Sequence, residues 1–369
     1  MTEVTQIRHW VVAGGGTGGH VTPALALAEQ IRKRGDEVLL MGTDRGLETR
    51  LVPEAGFDLL ALSAQPIYGR SLSAQTRTIP AIAHACWSAW RTMGSFAADF
   101  AISVGGYASM PAVIAAALRQ IPIAIVEPNA IPGRANRAAA RLAKLIFVQF
   151  EQATAIFSEA GASNRVRNTG VPLREKLVET FSGNQPRRTA EPPFRLLVAG
   201  GSQGARQINN AMIEAAPRLD ASRIEIFHQA GEADRERTET AYRAAGLRAD
   251  VVAFEPDMPA RYRWADLALC RSGALTVAEL ALAGLPALLV PYPFAADDHQ
   301  TANAAALVAA GAARMLDQNP LGGERVVNAL REVFEAPEQL AAMGDSAAKL
   351  ARPDAAAQIV EDCATRMGR

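Results

Sequence analysis

Two nine-residue stretches carry the residue types best suited to holding phosphate. Residues 12–20 read VAGGGTGGH and residues 198–206 read VAGGSQGAR, identical in five places at an offset of 186. Glycines at a strand-to-helix turn let backbone N–H groups come close to an anion, and the positive end of the following helix favours its charge. Gly14, Gly16 and Gly19 also satisfy G-x-G-x-x-G, which taken alone fits a dinucleotide oxidoreductase with Asp44 holding a ribose, or simply the tight turn of an α/β unit. Two such turns at equivalent positions fit better an enzyme with two phosphate-bearing substrates. His20 closes the first turn, where the positive helix end favours a neutral imidazole able to accept a proton. A helix-capping or packing role is the plainer alternative for it.

The densest set of polar groups lies at residues 270–303. Ser272 and Gly273 turn out of a short apolar run into a helix whose first N–H groups can hold a diphosphate. Glu279, further along that helix, can accept both hydroxyls of a ribose, unless it is an ordinary exposed helix residue. Asp297, Asp298, His299, Gln300 and Asn303 offer donors and acceptors for sugar hydroxyls. A metal site competes with that reading, but the chain has no D-x-D and adjacent acids point to different faces, so neither metal nor other cofactor is expected.

These groups need elements to position them. Apolar runs at residues 10–13, 38–41, 100–104, 122–126 and 145–148 alternate with Ala/Leu-rich helical stretches, the rhythm of an α/β fold with a parallel sheet. Thr22 and Pro23 suggest the cap and first residue of a helix ending at Gly35. A Pro-rich polar stretch, residues 182–193, reads as a linker. The rhythm then restarts at 194–199, 224–227, 251–254, 267–270 and 287–290. The duplication predicts two Rossmann-like domains with parallel sheets facing one another across a cleft: residues 1–170, residues 171–350, and a C-terminal helix (351–369) packing back on the first domain.

Composition bounds the function. Of 369 residues 49% are hydrophobic and 21% charged, which excludes a disordered chain, and 38 basic against 38 acidic side chains give no global attraction for nucleic acid. Three scattered cysteines suggest a reducing cytoplasm rather than disulfides or zinc. The first residues lack the apolar core of a signal peptide. The uncharged run 280–296 is broken by Gly284, Pro286, Pro291 and Pro293, so no membrane-crossing segment is expected. Charge is nevertheless uneven: residues 59–150 carry a net +6. Within them Ile79, Ile82, Ala83, Cys86, Trp87, Trp90 and Met93 recur at helical spacing, flanked by Arg77 and Arg91. Most such stripes are core faces, but tryptophans beside arginines also suit an anionic membrane surface.

GGGTGGH at Gly14, GGSQGA at Gly200, RSGALTVAE at Arg271 and HQTANA at His299, in that order along nearly the whole chain, closely resemble the MurG family of bacterial transferases. The resemblance implies the GT-B fold and an inverting, metal-independent enzyme. That enzyme moves N-acetylglucosamine from UDP-N-acetylglucosamine to the 4-hydroxyl of the muramyl sugar of undecaprenyl-diphosphate-linked lipid I, giving lipid II for peptidoglycan. It further implies a peripheral place on the cytoplasmic face of the bacterial plasma membrane, and the stripe itself, independently of the family, would put Ile79, Ile82, Trp87, Trp90 and Arg91 on the membrane side. Thr17, Gly18 and Gly19 would contact both diphosphates, with His20 the candidate base, although Glu127 or a water could serve instead. Asn129, Arg174, Ser202 and Gln203 match donor-binding positions. Phe254, followed by Glu255, would cap the uracil; Ala274, Leu275 and Thr276 would contact the diphosphate, Glu279 the ribose and Gln300 the sugar. Pro128 and Glu255 depart from the family pattern. Another GT-B enzyme (a glycolipid synthase or a UDP-sugar 2-epimerase), an NAD-dependent dehydrogenase and a non-catalytic nucleotide-binding module are the other readings.

Overall fold

The computed structural model describes residues 7–63, 72–183, 188–201, 204–316 and 321–366, with no side-chain description for residues 72–78 and 296. The chain divides into two compact units, the first of residues 1–175 and 352–369, the second of residues 176–351.

The first unit is built on seven parallel strands: β1 (His9–Gly14), β2 (Glu37–Thr43), β3 (Asp58–Leu62), β4 (Phe100–Gly105), β5 (Ile123–Glu127), β6 (Leu145–Val148) and β7 (Val166–Asn168), ordered β3-β2-β1-β4-β5-β6-β7. Nearly every residue of β1, β4, β5 and β6 is buried, as a sheet covered by helices on both faces requires. One face packs Val12, Ile102, Val126 and Phe147 against Leu27 and Ile31 of the first helix and against Ile359, Val360 and Cys363 of the helix Ala355–Arg366. The other packs Val11, Ile125 and Ile146 against Ala85, Ala89 and Met93.

The second unit has six parallel strands: β8 (Phe194–Ala199), β9 (Ile224–Gln229), β10 (Arg248–Val252), β11 (Leu267–Cys270), β12 (Ala287–Leu289) and β13 (Ala313–Met315), ordered β10-β9-β8-β11-β12-β13. In both sheets the chain first builds outward on one side of the opening strand and then crosses to the other. The strand order therefore reverses beside β1 and β4 in one unit, and beside β8 and β11 in the other. Ligands of open α/β sheets bind beyond the carboxyl ends of strands at such a reversal.

Three expectations change. The first helix spans Gly18–Lys33, capped by the extended backbone of Thr17, so Thr22 and Pro23 lie inside it. The Thr17 carbonyl already accepts from His20 and Val21 N–H, which starts the helix a turn earlier than Pro23 suggests. The strand expected at residues 251–254 is β10, Arg248–Val252, leaving Phe254 beyond its end. Met93 belongs to the core face of the helix Leu72–Ser95, whereas Ala83 and Trp87 of the same stripe are exposed.

Candidate functional site

The first glycine turn leaves the carboxyl end of β1 and enters the helix Gly18–Lys33. Gly16 takes φ +88°, a conformation that side chains rarely adopt. Its N–H donates to both oxygens of Glu48, at 3.0 and 3.1 Å, and Glu48 also accepts from Thr43 N–H at 2.7 Å and the Thr43 hydroxyl at 2.6 Å. Glu48 is 1% exposed, so a buried carboxylate fixes the turn from behind. Thr17, Gly18 and Gly19 form the cap and first turn of the helix, and Thr17 Oγ1 lies 3.0 Å from His20 Nδ1. The turn after β4 closes on the same place: a side chain on Gly106 would meet the His20 ring, and one on Gly16 would meet Tyr107.

At the end of β5, Glu127 is buried in a cage of donors. Asn129 N–H reaches it at 2.9 Å, Asn129 Nδ2 at 3.2 Å, Gly133 N–H at 2.9 Å and Asn136 Nδ2 at 2.9 Å. Burial pushes its pKa up against the pull of those bonds. Pro128 lies in this turn, and Asn129 still faces Glu127. Arg174 is paired with Glu29 of the first helix, with Nη2 at 2.6 Å and Nε at 2.7 Å.

In the second unit the turn after β8 has Gly201 at φ +90° and Gly204 at φ +75°, where any Cβ would overlap the Ala230 carbonyl. Ser202 and Gln203 lie outside the described residues. Beside it, β11 ends at Cys270 and Gly273 caps the helix Ala274–Ala283 with extended backbone and no side-chain cap bond. The first N–H groups of Ala274, Leu275 and Thr276 thus end that helix beside the second glycine turn. Ser272 is fully buried, its hydroxyl donating to the Gln300 carbonyl at 2.8 Å and its carbonyl accepting from Asn303 Nδ2 at 3.1 Å. Gln300 Oε1 accepts from Tyr292 N–H at 2.9 Å, which orients its amide.

Glu279 is partly buried and accepts from the Tyr262 hydroxyl at 2.6 Å; desolvation pushes its pKa up to about 7, although that bond draws it down. Phe254 is exposed, while the next residue, Glu255, is buried and accepts from Asp257 N–H and Arg261 Nε, both at 2.7 Å. Glu255 thereby anchors the turn that presents Phe254. Asp297 and Asp298 both adopt left-handed backbone at φ +51° and +53°, a local strain of the kind concentrated at binding sites.

Glu48, Asn136 and Tyr262 were not singled out from the sequence. Glu48 reads as an ordinary acid in the first turn of a short helix. Its one signal is the set Gly15, Gly42 and Gly46, where any side chain would collide with it.

On the helix Leu72–Ser95, Trp87 is 53% and Trp90 40% exposed, Ile79 is exposed and Ile82 half-buried. Arg91 lies over Trp87 with its guanidinium 5.7 Å from the ring, and Arg119 over Trp90 at 4.0 Å. Leu118 of the adjoining helix Met110–Leu118 extends this apolar and basic surface.

Residues 10–148 match the glycosyltransferase family 28 N-terminal domain, and residues 195–359 match the C-terminal domain of the same family. The chain belongs to glycosyltransferase family 28. Family-28 relatives in Geobacter metallireducens and Myxococcus xanthus are each 40% identical, over 96% and 97% of this chain and 98% and 92% of their own. Both carry the name UDP-N-acetylglucosamine--N-acetylmuramyl-(pentapeptide) pyrophosphoryl-undecaprenol N-acetylglucosamine transferase. Acinetobacter baumannii MurG, a crystal structure, superposes with a TM-score of 0.77 at 33% identity, covering 96% of this chain and 98% of that one. The UDP-GlcNAc 2-epimerase of Neisseria meningitidis, bound to UDP-GlcNAc, shares the fold at 15% identity, with a TM-score of 0.69 and 98% and 100% coverage. The two parallel-sheet units are those of the GT-B fold, and this family-28 chain is a glycosyltransferase.

Proposed function

We propose that the chain transfers N-acetylglucosamine from UDP-N-acetylglucosamine to the 4-hydroxyl of the muramyl sugar of undecaprenyl-diphosphate-linked lipid I, with inversion and without a metal, giving lipid II. The observation that carries this reading is one glycine turn at the strand-order reversal of each unit, since donor and acceptor each bear a diphosphate. Its support among relatives is their shared name over nearly the full length.

In the second unit the N–H groups of Ala274, Leu275 and Thr276 receive the donor diphosphate, Glu279 the ribose hydroxyls and Gln300 the sugar, while Phe254 lies over the uracil. Ser202, Gln203, Asn129 and Arg174 are assigned to the donor only by their match to family positions. In the first unit the turn of Thr17, Gly18 and Gly19 is suited to a diphosphate. We assign the Nδ1 proton to the contact with Thr17 Oγ1, which makes His20 Nε2 the basic nitrogen that takes the acceptor hydroxyl's proton. The oxygen attacks the anomeric carbon and the bond to UDP breaks. Charge released on the UDP phosphate is met by the helix N-terminus, which substitutes for a metal.

The surface around Ile79, Ile82, Trp87, Trp90 and Arg91 docks peripherally on the anionic cytoplasmic leaflet, where each nearby basic residue contributes about 1 kcal/mol. Roles in peptidoglycan synthesis, cell shape and cell division follow from that product. No helix among the described residues is long and apolar enough to cross a membrane.

Product analysis separates this from the epimerase reading. Incubation with UDP-N-acetylglucosamine and a short-chain lipid I analogue should yield a β-linked disaccharide by NMR and free UDP. Conversion of the donor alone to its 2-epimer, with no disaccharide, would overturn the proposal.

A further inference from the structure

Tyr262 is a buried residue of the short helix Met258–Trp264, which packs against the helix Ala274–Ala283 carrying Glu279. Its hydroxyl donates to Glu279 Oε2 at 2.6 Å, a short charge-assisted bond. We propose that Tyr262 is a positioning residue of the donor site, holding one oxygen of the Glu279 carboxylate so that the other faces the two ribose hydroxyls. This rests on the reading of Glu279 as the ribose acceptor.

A glutamate on a helix turns about several side-chain torsions, and holding one carboxylate oxygen fixes where the other, with its two lone pairs, can accept. The phenol supplies that constraint. Burial holds its pKa well above the usual range, so it stays protonated and acts on Glu279 only as a donor. Of the neighbouring ionisable groups, Cys270 on β11 is likewise kept neutral, its pKa pushed up to about 12 by burial. Arg271 follows it and acts on that thiol. The helix Met258–Trp264 also carries Arg261, paired with Glu255, and Arg263, over Phe181; the helix His299–Ala309 has one titratable residue, His299, and Glu338, Asp345 and Lys349 of the helix Pro337–Lys349 are exposed. Glu279 itself titrates near pH 7, and the Tyr262 bond lowers that value. Tyr262 thus sets both the orientation of the acceptor and the fraction of it that is charged at neutral pH.

The test is calorimetric binding of UDP-N-acetylglucosamine, whose diphosphate has no proton to lose in this range, between pH 6 and 8.5. Wild type should bind more tightly as pH rises through about 7. Tyr262→Phe, which keeps the ring and is checked by its thermal melt, should bind about tenfold more weakly at pH 7 and recover to within about threefold at pH 8.5. Its penalty should vanish for a donor analogue whose ribose lacks both hydroxyls. A Tyr262→Phe loss that is equal at every pH, or no loss while Glu279→Gln binds weakly, overturns the positioning role. Wild-type affinity in Glu279→Gln overturns instead the reading of Glu279, and this inference with it.

Discussion

Glu279 is held at odds with its own charge. As a free side chain it would lose its proton near pH 4.5, whereas in the folded protein it does so at about 7. Between those values the folded state holds more protons than the unfolded one, so its stability falls as pH rises. Fully expressed, a shift of this size corresponds to about 3 kcal/mol, and partial exposure of the side chain reduces it to about 2 kcal/mol. Glu279→Gln should therefore lose less stability than wild type between pH 5 and 8 in denaturant melts; parallel curves would contradict the placement of the carboxylate. Position along the chain made Glu279 legible, because RSGALTVAE sets it two turns into a helix opened by a glycine. Tyr262 was not legible, since it lies seventeen residues upstream on a different helix and only the packing of those helices brings the hydroxyl to the carboxylate. Glu48 escaped for a similar reason: three donors converge on it from the ends of β1 and β2, and the nearby glycines show their purpose only once the chain is folded.

Elements show where sequence patterns are strong and where they blur. The buried strands of both sheets were readable as short apolar runs, because a doubly covered parallel sheet needs no alternation. β3, β7 and β13 were missed; their alternating or charged residues match edge positions, which bury less. The start of the first helix was misplaced because Pro23 resembles an N1 proline, although the Thr17 carbonyl begins the helix earlier. The apolar stripe of the helix Leu72–Ser95 proved to be two stripes: Ala85, Ala89 and Met93 face the core, and Ile79, Trp87 and Trp90 face outward. A Trp87→Ala, Trp90→Ala variant should keep its melting temperature within a few degrees and lose most flotation with anionic vesicles. Undiminished flotation would remove this surface from membrane docking. The second glycine turn can be tested as an element too. Gly204→Ala forces a side chain into φ +75° and against the Ala230 carbonyl, so the turn must shift. It should cost about 1 to 3 kcal/mol and weaken UDP binding at least tenfold in titrations; intact affinity would show that the turn does not hold phosphate.

At the scale of the whole molecule the chain completes its first unit with its last helix. Ile359, Val360, Cys363 and Ala364 fill the core beside Trp10, Leu27 and Ile31, and Arg8 Nη1 donates to the Ala364 carbonyl at 2.6 Å. Ending the chain at Ala351 should expose that apolar face. The lower-melting calorimetric transition of the truncated chain should belong to the first unit, while UDP binding by the second persists. An unchanged first unit would contradict the shared core. The duplicated turns made the two-domain architecture readable before any coordinates, because 186 residues separate two copies of one strand-turn-helix unit.

Transfer itself tests the central claim most directly. Labelled N-acetylglucosamine supplied as its UDP donor, with a short-chain lipid I analogue and EDTA, should pass to the acceptor in wild type. His20→Ala should transfer about a hundredfold to ten-thousandfold more slowly, the usual scale for a positioned base. A wild-type protein that binds UDP-N-acetylglucosamine yet leaves this acceptor unglycosylated would contradict the account.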